Sequence, residues 1–411
     1  MTFSNMIKTK KVAVVGLGYV GLPLLKQFHK FRFNAIGFDI DKKKVESLIY
    51  NDFKNKKKFT ANINDLNNSN FYIICVPTPI NKKKKPDLRH LKNASTIVGK
   101  NLKKGDIVVY ESTVFPGCTE EFCVPILEKY SNLKINKDFY CGYSPERINP
   151  EDKKYTIDKI IKVTSGSNKF SSKIIDNIYK KIIPAGTFMA NSIKDAEAAK
   201  VIENIQRDLN IALINELSLI FDKMNLDIYK ILKAASTKWN FINFKPGLVG
   251  GHCIGVDPYY LTYKAQQLKY KPKVILAGRK INDDMPKEIS KKVINHLKKN
   301  YLKDKKKRIL ILGFSFKENS RDIRNTKIID LYKHLKKKNL SIDIYDPIVD
   351  KKKVQNEYSV KLLDKINFNN AYNAIIVAVP HDEIKKINKK KFKKICKKNC
   401  LIIDLKNSFS I

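Results

Sequence analysis

The chain has 411 residues, of which 43% are hydrophobic, and a formal net charge of +41. This length suffices for two or three domains that each bury a core of their own. The longest nearly apolar run, residues 12–25, is too short to span a bilayer and contains three glycines and a proline. It also lacks a small-residue cleavage site, so we expect no membrane segment and no secretory signal, and we place the protein in the cytoplasm.

The positive charge suggests a nucleic-acid partner, but its distribution argues against one. Lysines occur in short clusters along the whole chain, such as residues 82–85 and 305–307, without interleaved aromatic residues or a recognisable nucleic-acid module. Lysine, asparagine and isoleucine are all served by A/T-rich codons, so a biased genome explains the composition more simply. We therefore expect no nucleic-acid partner.

The cysteines and histidines do not predict a metal site. The seven cysteines include no Cys-x-x-Cys pair, and the six histidines supply no matching set of ligands. An odd number of cysteines is compatible with reduced thiols in a reducing compartment. The sequence thus predicts neither structural zinc nor a disulfide framework.

A dinucleotide fingerprint lies near the N-terminus. An apolar run over residues 11–16 leads into Gly16-Leu17-Gly18-Tyr19-Val20-Gly21, and a helical pattern follows to about residue 31. A GxGxxG motif is weak evidence alone, but a strand before it and a helix after it make it specific. Gly16 suits the tight turn, Gly18 the approach of a pyrophosphate, and Gly21 close helix packing, with Tyr19 and Val20 beside them.

An acid completes the fingerprint. A second predicted strand, residues 34–38, ends at Asp39, which is 23 residues after Gly16. An acid at this place binds the hydroxyls of the adenosine ribose and would repel a 2′-phosphate. The sequence therefore predicts NAD, and not NADP, as the cofactor.

Further strands alternate with helices to about residue 181. Strands are predicted at residues 71–76, 106–111, 138–143 and 160–163, and a helix at residues 168–181. Because ligands of parallel sheets bind at the carboxyl ends of strands, the following loops become site candidates. These loops are residues 76–79, 111–114 and 144–150.

The middle of the chain reads as helical. Residues 187–245 contain neither glycine nor proline, which predicts long helices. Within an alanine-rich stretch, Lys200 and Asn204 stand one turn apart on a single face. Burial beside a cofactor would lower the pKa of Lys200 or make it a fixed partner of an alkoxide.

A glycine-flanked cysteine follows this helical region. Gly250 and Gly251 let the backbone approach a ligand closely, and Cys253 is followed four residues later by Asp257. If the segment turns helically, the thiol and the carboxylate share one face. A thiol beside a carboxylate that can hold a water is an arrangement for covalent chemistry at a carbonyl carbon.

The remainder of the chain predicts a second α/β unit. A charged linker over residues 303–308 precedes strands near residues 308–312, 340–345, 374–379 and 401–405, and no GxGxxG occurs among them. The fold class expected is α/β, with two Rossmann-like doubly wound domains joined by a long central helical region. The predicted domains are residues 1–186, residues 187–300 and residues 301–411.

Residues 250–258, GGHCIGVDP, resemble the nucleophile segment of the UDP-sugar 6-dehydrogenases, and the similarity runs from about residue 10 to the C-terminus. Relatives that oxidise UDP-glucose usually have a different residue before the cysteine and a lysine before the aspartate. With His252 and Val256 at those places, the chain looks like the branch that acts on UDP-N-acetylhexosamines for bacterial surface polysaccharides. The resemblance implies UDP-N-acetylglucosamine or UDP-N-acetylgalactosamine as substrate, with UDP-glucose as the alternative.

The resemblance also implies roles for individual residues. The catalytic set it implies is Cys253, Lys200, Asn204, Asp257, Glu146 and Thr113, with Cys253 forming a thioester and Glu146 acting as base or water-positioning residue in its hydrolysis. The cofactor set adds Pro77, Thr78, Thr113 and Arg324 to the glycine motif and Asp39. The substrate set is Glu146, Arg147, Lys200, Asn204, Gly250 and Lys317. Which acid is the base in each step stays open.

Assembly is a further implication of the resemblance. A long central helix commonly makes the dimer contact in such enzymes, so a homodimer or higher homo-oligomer is expected. Relatives use an arginine from the neighbouring subunit, upstream of the cysteine segment, to contact the substrate. Between residues 237 and 251 the basic residues of this chain are Lys238 and Lys245, and a lysine lacks the forked guanidinium with which arginine makes bidentate contacts.

Two other classes of function are compatible with parts of the sequence. The β-hydroxyacid dehydrogenases also combine a GxGxxG domain with a helix that carries lysine and asparagine. They need no cysteine and reduce one NAD per turnover, so Cys253 favours the UDP-sugar enzymes. A basic nucleic-acid-binding protein would show salt-sensitive binding and no turnover.

Overall fold

The computed structural model describes residues 10–52, 58–148, 155–368 and 371–409. The chain forms two compact units, one made of Met1–Glu203 with Tyr259–Lys271 and the other of Asn204–Pro258 with Pro272–Ile411. Across these described ranges, no helix is both long enough and apolar enough to cross a membrane.

The first unit contains an eight-stranded sheet. Its strands are β1 Val12–Val15, β2 Ala35–Phe38, β3 Phe59–Thr60, β4 Phe71–Ile74, β5 Ile107–Tyr110, β6 Tyr140–Tyr143, β7 Lys162–Gly166 and β8 Thr187–Met189. They lie in the order β3-β2-β1-β4-β5-β6-β7-β8, and neighbours are parallel except for β6 and β7. The order of the first six strands is that of dinucleotide-binding folds, with the crevice at the carboxyl ends of β1 and β4.

Amphipathic helices cover this sheet. They are α1 Gly21–Lys30, α2 Lys42–Asn51, α3 Arg89–Asn101, α4 Val124–Ser131 and α5 Lys169–Ile182. Helix α5 begins with a capping box, in which the Asn168 and Ser171 side chains each accept the other's backbone N–H. Its apolar face, including Ile174 and Ile178, packs with Val12 in a buried core. Strands β1, β4 and β5 are apolar on both faces and fully buried, as strands covered on both sides must be.

Long helices occupy the middle of the chain. They are α6 Ile193–Lys223, which we call the central helix, α7 Ile228–Ala235, α8 Asp257–Gln267 and α9 Lys273–Asn300. The boundary between the two units falls within the central helix, after Glu203, and again within α8, after Pro258.

The second unit contains a four-stranded parallel sheet. Its strands are β9 Arg308–Leu312, β10 Ser341–Tyr345, β11 Tyr372–Val377 and β12 Cys396–Asp404, in the order β10-β9-β11-β12. The helices α10 Ile328–Lys336, α11 Lys351–Tyr358, α12 Asp382–Lys385 and α13 Lys389–Lys394 alternate with them. Apolar side chains of β9 and β11 meet those of α9 and α10 in a buried core, as Ile311, Ile376, Val293 and Leu331 do.

The predicted α/β class with two Rossmann-like units is confirmed, and so are the long helices predicted within residues 187–245, although these helices do not reach either end of that stretch. Thr187–Met189 forms strand β8 and pairs with β7. Residues 237–245 form no helix. A threonine and a phenylalanine favour a strand where an open sheet edge is available, and the second stretch is rich in aromatic and asparagine residues of low helix propensity. Absence of glycine and proline permits a helix without requiring one.

A buried acid organises the second sheet. Asp346 follows β10 directly and has no solvent exposure. One of its carboxylate oxygens accepts hydrogen bonds from the Phe314 amide at 2.6 Å and from His381 Nε2 at 2.9 Å, and the other accepts from the Ile348 amide at 2.9 Å. Burial alone would raise the pKa of Asp346, but the hydrogen bond and charge of His381 hold it below the ordinary value.

Replacing Asp346 by asparagine should lower the free energy of unfolding by about 3 kcal/mol, because buried donors then lose a charged acceptor. Urea denaturation at neutral pH measures the change. Asp364→Asn is the control, because the Asp364 side chain is 92% exposed and pairs only at the surface with Lys351. Equal midpoints for the two variants would contradict the role given to Asp346.

The buried pair of Asp346 and His381 predicts that the stability of the fold depends on pH. Because the folded pKa of Asp346 lies below its unfolded value, its contribution to stability is present above about pH 4 and is lost as the pH falls through the folded pKa. The stability difference between the native protein and Asp346→Asn should therefore shrink on acidification. A difference that grew on acidification would contradict this sign.

Candidate active site

The glycine loop of the first unit has the shape of a phosphate cradle. Gly16 has a φ of 96°, and a Cβ there would lie 2.8 Å from the Cys75 carbonyl oxygen. A Cβ on Gly21 would overlap the Gly16 carbonyl oxygen, whereas nothing lies within 4 Å of the corresponding position on Gly18. The loop is thus packed tightly at two glycines and open at the third, which fits the approach of a dinucleotide pyrophosphate to the N-terminus of α1.

Asp39 stands at the carboxyl end of β2, as predicted. Its carboxylate accepts hydrogen bonds from the Leu17 amide at 2.9 Å and the Asp41 amide at 3.1 Å, and it pairs with Lys44 Nζ at 2.7 Å. Burial alone would raise the pKa of Asp39, but the hydrogen bonds from Lys44, Asp41 and Leu17 hold it below the ordinary value. An ionised acid therefore lies where the ribose of a dinucleotide is expected, and the residues present fit NAD.

The residues that follow the glycines also lie at this loop. Val20 is the N-cap residue of α1, and the ring of Tyr19 is 40% exposed. Both residues stand at the N-terminus of the helix, where the helix dipole favours an anion. Their assignment to the cofactor remains a prediction.

The loops after β4 and β5 are joined. Thr78 Oγ1 donates to the Thr113 carbonyl oxygen at 2.7 Å, and Ser112 Oγ donates to the Val76 carbonyl oxygen at 2.7 Å. Pro77, between them, is exposed. The structure thus brings together three residues predicted from the sequence at the carboxyl edge of the sheet.

Glu146 is buried beyond the carboxyl end of β6. It accepts a hydrogen bond from the Ile148 amide, while the neighbouring Arg147 pairs with Glu203 at 2.7 Å on the central helix. Burial raises the pKa of Glu146, and Lys200 is the largest of the charges that oppose this rise. Lys200 and Glu146 therefore lie in one electrostatic environment. Residues 149 and 150, the last two of the predicted loop, are outside the described part of the chain.

The second unit carries the cysteine segment. The Asp257 amide donates to the Cys253 carbonyl oxygen at 2.8 Å, which is the bond of one helical turn. The segment from Cys253 to Asp257 therefore turns helically, which is the condition for the predicted shared face. Asn204 Nδ2 donates to Asp257 Oδ2 at 2.5 Å, and both side chains are buried. Cys253 itself is partly exposed, unlike the cysteines at positions 75, 118, 123 and 141.

The two glycines before the cysteine permit close packing within the second unit. A Cβ on Gly251, whose φ is 82°, would lie 2.6 Å from the Phe316 ring. A Cβ on Gly250 would lie 2.6 Å from the Asn325 carbonyl oxygen. The glycines thus allow the cysteine segment to contact the loop after β9.

A pocket of about 300 Å³ lies beside these glycines. Gly250 and Lys317, both predicted to bind substrate, line it together with Phe316, Lys327 and Lys406. Burial lowers the pKa of Lys406, although the charge of Glu318 opposes that effect. Three lysines and an aromatic ring in one pocket suit a ligand that combines a planar ring with phosphate charge.

Arg324 is held within the second unit by an acid. Its Nε lies 3.0 Å from both carboxylate oxygens of Asp322, and its Nη2 lies 3.1 Å from His252 Nδ1. Burial alone would raise the pKa of Asp322, but hydrogen bonds from His252 and Arg324 hold it well below the ordinary value. His252, the branch-specific residue of the sequence, therefore contacts the loop that carries Arg324. The predicted contact of Arg324 with the cofactor remains a prediction.

The sequence did not reveal the buried asparagine, Asn215, that holds the cysteine segment by hydrogen bonds. Asn215 Nδ2 donates to the Gly247 carbonyl oxygen at 3.0 Å and its Oδ1 accepts from the Gly247 amide at 2.8 Å. Asn215 also donates to Asn282 at 2.8 Å, and Asn282 donates to Asp208, which pairs with the buried Arg279 at 2.6 Å. A buried asparagine in a long helix was the available signal, but its partners lie too far along the chain to be named.

Glu197 is a second residue that the sequence did not reveal. From the central helix it accepts hydrogen bonds from the amides of Gly117 at 2.5 Å and Thr119 at 2.9 Å, and so holds the loop after β5. Burial raises its pKa to about 7, against the hydrogen bonds from Thr119 and Gly117. The loop that contains Thr113 is thus fixed at its far end as well.

Replacing Asp39 by asparagine should raise the dissociation constant for NAD about tenfold and narrow the preference for NAD over NADP, because a charged acceptor is lost. Isothermal titration with each cofactor measures both effects. Asp41→Asn is the matched control, since Asp41 caps the same helix with a side chain that asparagine can replace. Equal affinity for NAD in Asp39→Asn and the native protein would contradict the assignment.

Comparison with known proteins places the whole chain in one family. Residues 10–183, 194–284 and 310–411 match, respectively, the NAD binding, central and UDP binding domains of the UDP-glucose/GDP-mannose dehydrogenase family. The UDP-N-acetyl-D-glucosamine 6-dehydrogenase of Salmonella typhi is 51% identical over 96% of both chains, and that of Pseudomonas aeruginosa 50% identical over 97% of both.

A solved structure agrees with these sequence matches. A UDP-D-ManNAc dehydrogenase from Pyrococcus horikoshii has a TM-score of 0.87 and 29% identity, over 97% of this chain and 96% of that one. The resemblance predicted from the cysteine segment is therefore confirmed, and the chain belongs to the UDP-glucose/GDP-mannose dehydrogenase family.

Proposed function

We propose that the protein oxidises the C6 hydroxyl of a UDP-N-acetylhexosamine to the uronic acid through a thioester on Cys253, for surface polysaccharide synthesis. NAD-dependent oxidation of a UDP-sugar is the activity of its family. The observation that carries the covalent step is the turn that joins Cys253 to Asp257, which Asn204 holds from the central helix. A simple β-hydroxyacid dehydrogenase would need no such thiol.

The first oxidation requires a proton acceptor and a group that steadies negative charge. NAD, when bound, supplies a hydride acceptor in each of the two oxidations. Lys200 is buried. A positively charged side chain in such a place stabilises an alkoxide at the substrate oxygen. Asn204 orients Asp257, whose carboxylate can hold the water that takes up the hydroxyl proton.

The second oxidation uses the thiol. Cys253 adds through sulfur to the aldehyde carbon, and the resulting thiohemiacetal loses its hydride to leave a thioester. A water positioned by Glu146 or Asp257 then adds to the thioester carbon and releases the carboxylate with the Cys253 thiol restored. One alcohol and one water are consumed, two hydrides leave the carbon, and no free aldehyde is released.

The substrate class follows from the pocket and from the relatives. Lys317, Lys327 and Lys406 supply charge for a diphosphate, and the Phe316 ring can stack on a pyrimidine. Two relatives about half identical to this chain are named UDP-N-acetyl-D-glucosamine 6-dehydrogenases, which supports an N-acetylated sugar. His252 and Val256 in the cysteine segment favour the same branch. UDP-N-acetylgalactosamine is the alternative epimer, and UDP-glucose the alternative sugar.

The central helix supports the proposal of a homodimer or higher homo-oligomer. Ile202, Leu213, Ile220 and Met224 are each about half exposed, and their spacings of eleven, seven and four residues place them on one face. An apolar stripe of this kind on a helix is typical of an interface. We propose a second copy of the chain as its partner, in line with the resemblance to the UDP-sugar 6-dehydrogenases.

Location and domain limits complete the proposal. All seven cysteines are free thiols, which suits the reducing conditions of the cytoplasm. We propose that the NAD-binding domain ends near residue 186 and that the UDP-binding domain begins near residue 301. The family matches at residues 10–183 and 310–411 are compatible with these limits.

With NAD and a panel of UDP-N-acetylglucosamine, UDP-N-acetylgalactosamine and UDP-glucose, the protein should form two NADH per N-acetylated sugar consumed and less product from UDP-glucose. Absorbance and product mass measure the ratio. Cys253→Ala should form no uronic acid, because no thioester can form. Cys400→Ala, at another partly exposed thiol, is the matched control. Full acid formation by Cys253→Ala would refute the covalent route.

Replacing Ile220 and Met224 by glutamate should convert the oligomer to monomers, because like charges would then face each other across a buried interface. Sedimentation velocity measures the change. Leu302→Glu is the control, since Leu302 is an apolar residue of greater exposure outside the central helix. An unchanged assembly in the double variant would exclude this stripe as the interface.

A further inference from the structure

A buried ion pair lies in the first unit between the ends of two strands. Glu111 follows β5 directly and Lys162 is the first residue of β7, and both are almost fully buried. Lys162 Nζ lies 2.7 Å from Glu111 Oε2, and the Tyr179 hydroxyl donates to Glu111 Oε1 at 2.5 Å. No sequence motif assigns a role to Lys162 or Tyr179, and Glu111 is predicted only to lie in a loop.

Lys162 makes a second contact that reaches the segment of Glu146. Its Nζ donates to the Pro145 carbonyl oxygen at 3.0 Å. The adjacent Ser144 donates through Oγ to the Val163 carbonyl oxygen at 2.7 Å. Because Pro145 has no N–H, its carbonyl oxygen is the one backbone group through which that residue can be anchored. The ammonium thus fixes the peptide that leads into Glu146.

Glu111 stands at the start of the loop that carries Thr113, a site residue predicted from the sequence. It is followed by Ser112, which donates to the Val76 carbonyl oxygen, and by Thr113, whose carbonyl oxygen accepts from Thr78. One ion pair therefore joins the loop of Thr113 to the loop of Glu146. Neither loop can shift without separating two buried charges, which is costly.

We propose that Lys162 and Glu111 are positioning residues that set the orientation and the charge of Glu146 for hydrolysis of the thioester. This inference rests on the role of Glu146 in the proposed function. It gives a reaction-specific role to two buried charges that a Rossmann domain does not need for dinucleotide binding.

The charges around Glu146 support this role and have opposite signs. Burial raises the pKa of Glu146, Lys200 and then Lys162 lower it, and Glu111 raises it. Cys75 lies in the same cluster, but burial raises the pKa of that thiol well above its ordinary value, so it contributes no charge near neutral pH. Lys162 and Glu111 thus act on Glu146 in opposite directions.

A purely structural ion pair predicts a different outcome. Buried pairs often contribute little net stability, and removing both partners is frequently tolerated. If the pair served the fold alone, each single variant would lose activity in every step, and the pH dependence of hydrolysis would not move. The signs of the pH shifts therefore distinguish the two roles.

The test uses the full-length protein with NAD and UDP-N-acetylglucosamine, and the variants Glu111→Gln, Lys162→Met and their combination. Release of the uronic acid is measured against pH, together with the initial burst of NADH and the mass of the protein during turnover. Lys173→Met, at an exposed lysine of helix α5, is the matched control and should behave as the native protein does.

Lys162→Met should shift the rising limb of the hydrolysis profile to higher pH, because Glu146 then ionises later. It should slow acid release at neutral pH by at least about tenfold, the scale of general-base catalysis, while the NADH burst persists and the thioester accumulates. Glu111→Gln should shift the same limb to lower pH. The rising limb of the double variant should lie at a pH between those of the two single variants and above that of the native protein. This order is expected because Lys162 affects the pKa of Glu146 more than Glu111 does.

If the rising limb of the hydrolysis profile lay at the same pH in Glu111→Gln and the double variant as in the native protein, the inference would be overturned. The double variant leaves neither charge of the pair unpaired, and in Glu111→Gln the Lys162 ammonium still donates to the Pro145 carbonyl oxygen, so these two variants test the inference even if Lys162→Met fails to fold. Failure of the proposed function is distinguishable, because the native protein itself would then form no thioester on Cys253.

Discussion

The hydrogen bond from Asn204 to Asp257 is the interaction on which the position of the cysteine segment, and with it the proposed chemistry, depends. Asp257 begins helix α8 and its amide closes the turn that contains Cys253. A bond of 2.5 Å between two buried side chains ties this turn to the central helix. Upstream, Asn215 on the same helix holds the Gly247 peptide through both of its polar groups. One rigid helix therefore positions both ends of the cysteine segment, as preorganised catalysis requires.

Buried acids at the ends of strands organise the rest of the molecule. In the first unit Asp39, Glu111 and Glu146 lie beyond β2, β5 and β6, where the sheet presents its ligand-binding edge. In the second unit Asp346 occupies the place that corresponds to Asp39, because each follows the second strand of its fold and accepts an amide from the loop after the first strand. Asp346 is fully buried and pairs with His381, so it is unavailable to a ribose. The same topology thus serves two different nucleotides.

Much of this arrangement was predictable because its signals are local. Apolar runs predicted most strands to within two residues, and the spacing of Gly16 to Asp39 predicted the dinucleotide crevice. The four-residue interval from Cys253 to Asp257 predicted their shared face. Strand β8 was missed, because three residues at a sheet edge carry too little pattern to outweigh the absence of glycine and proline.

The polar networks were not predictable, since their members are distant in the sequence. Lys162 and Glu111 are 51 residues apart, and Asn215 and Gly247 are 32 apart. Among 81 basic and 40 acidic residues and many asparagines, composition cannot indicate which few are buried. Burial is decided by packing of the whole unit, and only then do these side chains acquire their partners.

The proposed covalent route requires that Cys253 carry the sugar as a thioester between the second oxidation and hydrolysis. Its most direct test is to quench the native protein during the first turnover with NAD and UDP-N-acetylglucosamine, digest it, and locate the added mass by peptide sequencing. Under the covalent route we expect one uronyl adduct, on Cys253, that disappears when the reaction is complete. Uronic acid formed at full rate with Cys253 unmodified throughout would contradict it.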